Sequence, residues 1–132
     1  MKTILSLLVA FAFALTAQAG SGNSGKVADV SLESLKQAIA EGSITLIDVN
    51  GSKSYQKGHI PGALDFQEVS ADLASVLPAD KDALVVAYCA NTHCGAYKRA
   101  VSAAVALGYT NVAHFSGGIE GWKNAGEAVE EG

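Results

Sequence analysis

Residues 84–108 read LVVAYCANTHCGAYKRAVSAAVALG, and three patterns follow one another in this stretch. Leu84 to Tyr88 is a short apolar run, partly β-branched, of the kind that forms a strand buried on both faces. Further on, Ala96, Ala100, Ala103, Ala104 and Leu107 fall on one helical face, and Gly108 closes the helix. Their small side chains permit close packing on a sheet. Between strand and helix lies a loop that carries both cysteines of the chain, Cys89 and Cys94. A strand, a loop and a helix in this order are the units of an open α/β sheet, whose ligands gather at the carboxyl ends of the strands. Cys89 sits at that end.

Outward from this stretch the alternation continues. Ser31 caps a helix with apolar positions Leu32, Leu35, Ala38 and Ile39, ended by Gly42. Ile44 to Val49 (ITLIDV) reads as a second buried strand with one charge, Asp48, near its end. Gly58 to Ala63 is rich in turn residues, Ala63 to Phe66 is long enough for a minor strand, and Glu68 to Leu77 has helical spacing up to Pro78. Val112 to Phe115 predicts another strand and Ile119 to Lys123 a last short helix. The expected architecture is a single α/β domain over residues 27–132, a central, mostly parallel sheet flanked by helices on both faces.

The first residues predict something other than fold. Lys2 precedes an apolar run from Ile4 to Leu15 and then Ala17-Gln18-Ala19, the layout of a secretory signal peptide over residues 1–19, cleaved after Ala19. About 12 apolar residues fall short of the roughly 20 that span a bilayer. Residues 20–26, with Ser21-Gly-Asn-Ser-Gly25, read as a flexible leader. The expected mature protein is soluble, periplasmic or secreted, with no membrane partner after cleavage. Loss of Lys2 makes the formal net charge of −4 one unit more negative, and the remaining basic residues are scattered, which argues against nucleic acid or anionic lipid as partner. An oxidising compartment allows a thiol pair to persist as a disulfide, but two cysteines are too few for a disulfide-framework fold.

Chemistry therefore concentrates on the cysteine loop. At a strand end just before a helix, unpaired amide N–H groups of the loop and first helical turn are expected to face the Cys89 sulfur and favour thiolate over thiol. Cys94, five positions on, comes within disulfide distance if the Cα separation is below roughly 7 Å. Closing so short a loop contributes only about 2 kcal/mol, so stability is a thin reason for the pair. Two readings stand: a resolving thiol, or a small apolar residue packed at the helix start. A phosphatase of related fold would need an arginine where this chain has Gly95. Cys89, His93 and Cys94 lack a fourth metal ligand, and a thioredoxin-type pair would have two intervening residues rather than four. No metal and no cofactor is expected.

The order Leu46-Ile47-Asp48-Val49, Tyr55 with Gly58-His59-Ile60-Pro61-Gly62-Ala63, Tyr88-Cys89, Leu107-Gly108-Tyr109 with Asn111-Val112, and Gly117-Gly118-Ile119 before Trp122 resembles the single-domain rhodanese-like proteins. The resemblance covers nearly all of the mature chain. It implies a rhodanese-like domain and a sulfurtransferase in which Cys89 carries a persulfide cradled by the amides of the loop Ala90, Asn91, Thr92, His93 and Gly95. A small anionic sulfur donor such as thiosulfate, a thiol acceptor and a thioredoxin-like reductant are the implied partners. Lys98 and Arg99 either offer positive charge to that anion or are solvated surface cations. Asp48 and His59 are expected to be structural residues near the site, and Gly117 and Gly118 to let a neighbouring loop approach. Three departures stand out: Asn50 replaces the family's usual arginine, the segment from Cys89 to Gly108 is about two residues longer, and the loop lacks the usual glycine and basic residue. A noncatalytic partner-binding module of the same fold and a thiol-disulfide redox protein using the Cys89/Cys94 pair are the rival functions.

Overall fold

The structure, a computed structural model, describes residues 27–132. The expected signal peptide and leader lie outside the described residues. The elements in chain order are β1 (Ala28–Asp29), α1 (Leu32–Glu41), β2 (Ile44–Asp48), α2 (Ser52–Lys57), β3 (Leu64–Asp65), α3 (Phe66–Val69), a 3₁₀ turn (Ser70–Asp72), α4 (Leu73–Val76), β4 (Leu84–Tyr88), α5 (Tyr97–Ala106), β5 (Val112–His114) and α6 (Gly118–Asn124). The five strands form one sheet in the order β1-β5-β4-β2-β3, and every pairing is parallel.

The LVVAY strand is the centre of the sheet. It pairs with β2 from Ile44↔Leu84 to Asp48↔Tyr88 and with β5 through Val85↔Val112 to Ala87↔His114. Successive side chains point to opposite faces, so one apolar strand feeds two cores. Val85 and Ala87 pack with Ile47, Leu73, Leu77, Ala100, Val101 and Ala104 under α4 and α5. Val86 and Tyr88 pack with Leu35, Leu46, Ile60, Ala113, Phe115 and Trp122 under α1 and α6. Leu35, Ile47 and Val86 are fully buried, each contributing on the order of 2 kcal/mol of hydrophobic stabilisation. Cys89 continues the alternation and faces the α5 side.

Ser31 caps α1 through its side-chain oxygen, which accepts from the Ser34 amide at 3.1 Å, and Gly42 ends the helix in the left-handed region at φ 66°. The expected helix over Glu68 to Leu77 is instead broken into α3, the 3₁₀ turn and α4. Its first turn starts two residues early because the Asp65 carboxylate caps it, accepting from the Gln67 amide at 3.0 Å. That cap also shortens the expected strand over Ala63 to Phe66 to Leu64–Asp65. Two elements escape periodicity altogether. The edge strand β1 has only two residues, and α2 is polar except for Tyr55.

Candidate functional site

Cys89 and Cys94 meet at the carboxyl end of β4. Their sulfur atoms lie at disulfide distance and their Cα atoms are 6.3 Å apart. Around them is a cavity of about 200 Å³ lined by Asn91 to Gly95, by Tyr97 and Lys98 at the start of α5, and by His114, Phe115 and Ser116 at the end of β5. Cys89 itself is 3% exposed, whereas Cys94 is half-buried, so the more accessible member of the pair is Cys94.

The loop is held from two directions. The Asn91 side-chain oxygen accepts from the His93 amide at 2.9 Å and the Asn91 carbonyl accepts from the Cys94 amide at 3.2 Å, a local turn that lifts Cys94 back toward Cys89. These two N–H groups are spent within the loop and do not face sulfur, which corrects the expectation that the loop amides point there as a set. From the other side, the carbonyls of Cys89 and Ala90 accept from the amides of Ile119 and Glu120 at 2.9 and 3.0 Å. In a trans peptide the next N–H points opposite to the carbonyl, so those of Ala90 and Asn91 are turned away from α6. Neither has a hydrogen-bond partner among the described residues. At the start of α5 no side chain caps the helix, and the Lys98 and Arg99 amides are already bonded to the Gly95 and Ala96 carbonyls at 3.2 and 3.1 Å.

Gly118 makes this arrangement possible. It adopts φ +61°, and a Cβ there would lie 2.6 Å from the Cys89 oxygen and from the Ala90 carbonyl carbon and oxygen. Only glycine permits α6 to press its first amides onto the cysteine loop. Gly117 has ordinary helical backbone, and a Cβ on it would meet the Phe115 ring at 3.1 Å.

Beneath the site lies a buried polar chain. The Tyr88 hydroxyl donates to Asp48 Oδ2 at 2.7 Å and accepts from the Ile60 amide at 3.0 Å, and Asp48 Oδ1 accepts from the Asn50 amide at 2.8 Å. Burial pushes the Asp48 carboxyl above its ordinary value, opposed by the Tyr88 hydrogen bond. Burial and the Asp48 charge keep the Tyr88 phenol protonated far above its ordinary value. No basic side chain pairs with Asp48 among the described residues. Asn50, where the resemblance implies an arginine, has its Nδ2 buried without a partner.

The other residues singled out by sequence separate. Lys98 lines the cysteine cavity, but Arg99 lines a different one, with Val49, Phe66, Gln67 and Ser70. Ala90 contributes backbone and does not line the cysteine cavity. His59 is buried away from it, its Nδ1 against the Tyr55 carbonyl at 2.8 Å, its ring stacked on Tyr55 at 3.7 Å, and its backbone bridged to Glu130. His114, Tyr97 and Ser116 line the cavity without having been marked by any motif. The available signal was the imidazole in an otherwise apolar strand, on the face that Ala87 and Cys89 share.

Residues 31–125 match the family described as the rhodanese-like domain. The chain is 38% identical over 92 residues to an HTH-type transcriptional regulator of Mycobacterium tuberculosis, a match covering 69% of this chain and 39% of that protein. It is 31% identical over 88 residues to the thiosulfate sulfurtransferase GlpE of Pseudomonas savastanoi pv. phaseolicola, covering 66% of this chain and 79% of that one. Among solved structures, a Bacillus halodurans protein superposes with a TM-score of 0.67 at 25% identity, covering 80% of this chain and 77% of the other. A human single-domain sulfurtransferase superposes with a TM-score of 0.58 at 25% identity, covering 75% and 97%. The order of motifs, the parallel sheet with the cysteine at the end of its central strand, and these likenesses agree: the chain belongs to the rhodanese-like family.

Proposed function

We propose that this protein is an exported sulfurtransferase that moves sulfane sulfur through a Cys89 persulfide, with Cys94 as the resolving thiol. The observation that carries the reading is the pair itself: a strand-end cysteine in a cavity, and a second cysteine at disulfide distance. In the first step the Cys89 thiolate attacks the outer sulfur of thiosulfate, the S–S bond of the donor breaks, and sulfite leaves, producing a persulfide on Cys89. The Asn91 amide and the Lys98 ammonium, both on residues that line the cavity, supply positive potential for the anion. Cys94 then attacks the Cys89 sulfur, the persulfide S–S bond breaks, hydrosulfide leaves, and the two cysteines are joined. A thioredoxin-like dithiol returns the pair to thiols and is itself oxidised. An external thiol acceptor can take the sulfur instead, leaving Cys89 reduced.

A second reading is favoured by the likeness to part of an HTH-type transcriptional regulator: the domain binds a partner, or reports redox state through the cysteine pair, without turnover. Intact-mass spectrometry of reduced protein incubated with thiosulfate separates the two. The sulfurtransferase gains one sulfur atom, transiently in the wild type, where resolution leaves the protein two hydrogens lighter, and lastingly in Cys94→Ala. Sulfite appears in equal amount to the sulfur loaded, and Cys89→Ser gains nothing while keeping its circular dichroism spectrum. No sulfite from the wild type and no added sulfur on Cys94→Ala would reject the sulfurtransferase reading.

A further inference from the structure

His114 occupies a place that packing alone does not explain. The β4–β5 register sets it opposite Ala87, on the face that Cys89 also shares, and its ring lines the cysteine cavity. The ring is stacked on Tyr97 of α5, with centroids 4.2 Å apart and planes 22° from parallel. Its two nitrogens have different surroundings. Nε2 faces the Asp29 carboxylate of β1 at 4.0 Å, and Asp29 is fixed by the Ser116 amide and hydroxyl, which donate to it at 3.0 and 2.7 Å. Nδ1 is buried and has no partner among the described residues. An unpaired buried nitrogen is costly, and such a group on a residue lining the cysteine cavity calls for a role.

We propose that His114 is the acid–base residue of the Cys89–Cys94 pair, carrying the proton that any opening or closing of that pair must move. When an incoming thiolate attacks one sulfur, the Cys89–Cys94 bond breaks and the departing sulfur takes a proton from the His114 imidazolium, which is then reprotonated from water. In the resolving direction His114 accepts the Cys94 thiol proton as Cys94 attacks the Cys89 persulfide and returns it to the hydrosulfide that leaves. Protons and electrons balance in both directions. Asp29, held by Ser116, faces Nε2 and orients the ring. The other charged or titratable groups around the ring are Tyr97 and Lys98 on α5 and His93 in the loop.

The resolving half of this role rests on the proposed function, but the opening half does not, and the test uses the latter. The oxidised protein is reduced with dithiothreitol from pH 5.5 to 8, and each rate is divided by the dithiothreitol thiolate concentration. In the wild type the normalised rate rises about tenfold as pH falls through the imidazole range, at the modest end of general acid catalysis because a thiolate already leaves readily. His114→Gln flattens the profile, and His59→Gln, at a histidine buried away from the cavity, leaves it unchanged. Thermal melts show whether each variant is folded, with His114→Asn as the replacement should the glutamine variant not fold. Superimposable wild-type and folded His114-variant profiles would overturn the assignment, and the result is independent of whether thiosulfate loads Cys89.

Discussion

Replacing Tyr88 by phenylalanine tests the buried chain that holds the cysteine strand to the loop before β3. The substitution removes one oxygen and creates almost no cavity. It leaves two buried groups unpaired: the Ile60 amide, which donates to the hydroxyl at 3.0 Å, and Asp48 Oδ2, which accepts from it at 2.7 Å. An orphaned amide costs about 1–3 kcal/mol, and a lost hydrogen bond to a charged group about 1.5–3. Relaxation lowers their sum, so the expected destabilisation is about 3 kcal/mol at pH 8.

The pH dependence distinguishes this mechanism from simple loss of packing. The folded Asp48 carboxyl titrates above its unfolded value. Between the two values the native state holds more protons, and Asp48's contribution to stability falls as pH rises. Tyr88→Phe removes a bond that favours the carboxylate, raising the folded value further. The orphaned carboxyl can then protonate, so the mutational cost is smaller at pH 5 than at pH 8. Urea unfolding of wild type and variant at both pH values, each with the cysteines reduced, measures the difference while common titrations cancel. A cost below about 1 kcal/mol, or one equal at the two pH values, would refute the reasoning.

Cys94→Ala should leave sulfite release on thiosulfate addition nearly unchanged but lengthen the life of the Cys89 persulfide, followed by time-resolved mass spectrometry. An unchanged decay would retire the resolving role in favour of packing. Gly118→Ala forces a side chain at φ +61° against the Cys89 and Ala90 carbonyls, so chemical denaturation should show a loss of about 3 kcal/mol or more, with thiosulfate activity falling as the loop shifts.

The chain revealed its central features because burial and chain geometry leave strong traces. LVVAY is apolar at every position, as a strand covered on both faces must be, and its observed bounds are those of the run. The cap at Ser31 and the stop at Gly42 were legible because each satisfies orphaned backbone groups locally. The Asp65 cap was missed because it competes with strand pairing within two residues, and β1 because two exposed residues carry no periodicity. Both omissions matter at the site. Asp29, half of β1, is the carboxylate beside His114, so the short edge strand supplies chemistry that its length conceals.

Position along the chain and position in space also part company in the active loop. Lys98 and Arg99 are adjacent, yet a helix turns successive side chains by about 100°, and only Lys98 reaches the cysteine cavity. His59 belongs to the most recognisable motif and is spent on Tyr55 and the C-terminal segment, whereas His114 belongs to no motif and lines the cavity. The reason is physical. A motif marks residues fixed by backbone geometry, such as Gly118 against the Cys89 carbonyl, while the reach of an imidazole across a sheet depends on register, which a single strand does not disclose. Once β4 and β5 are paired, Ala87↔His114 follows, and with it an imidazole at the wall of the cysteine cavity. The cysteine loop is thus one side of a chamber whose other side is the end of β5, and its chemistry depends on both.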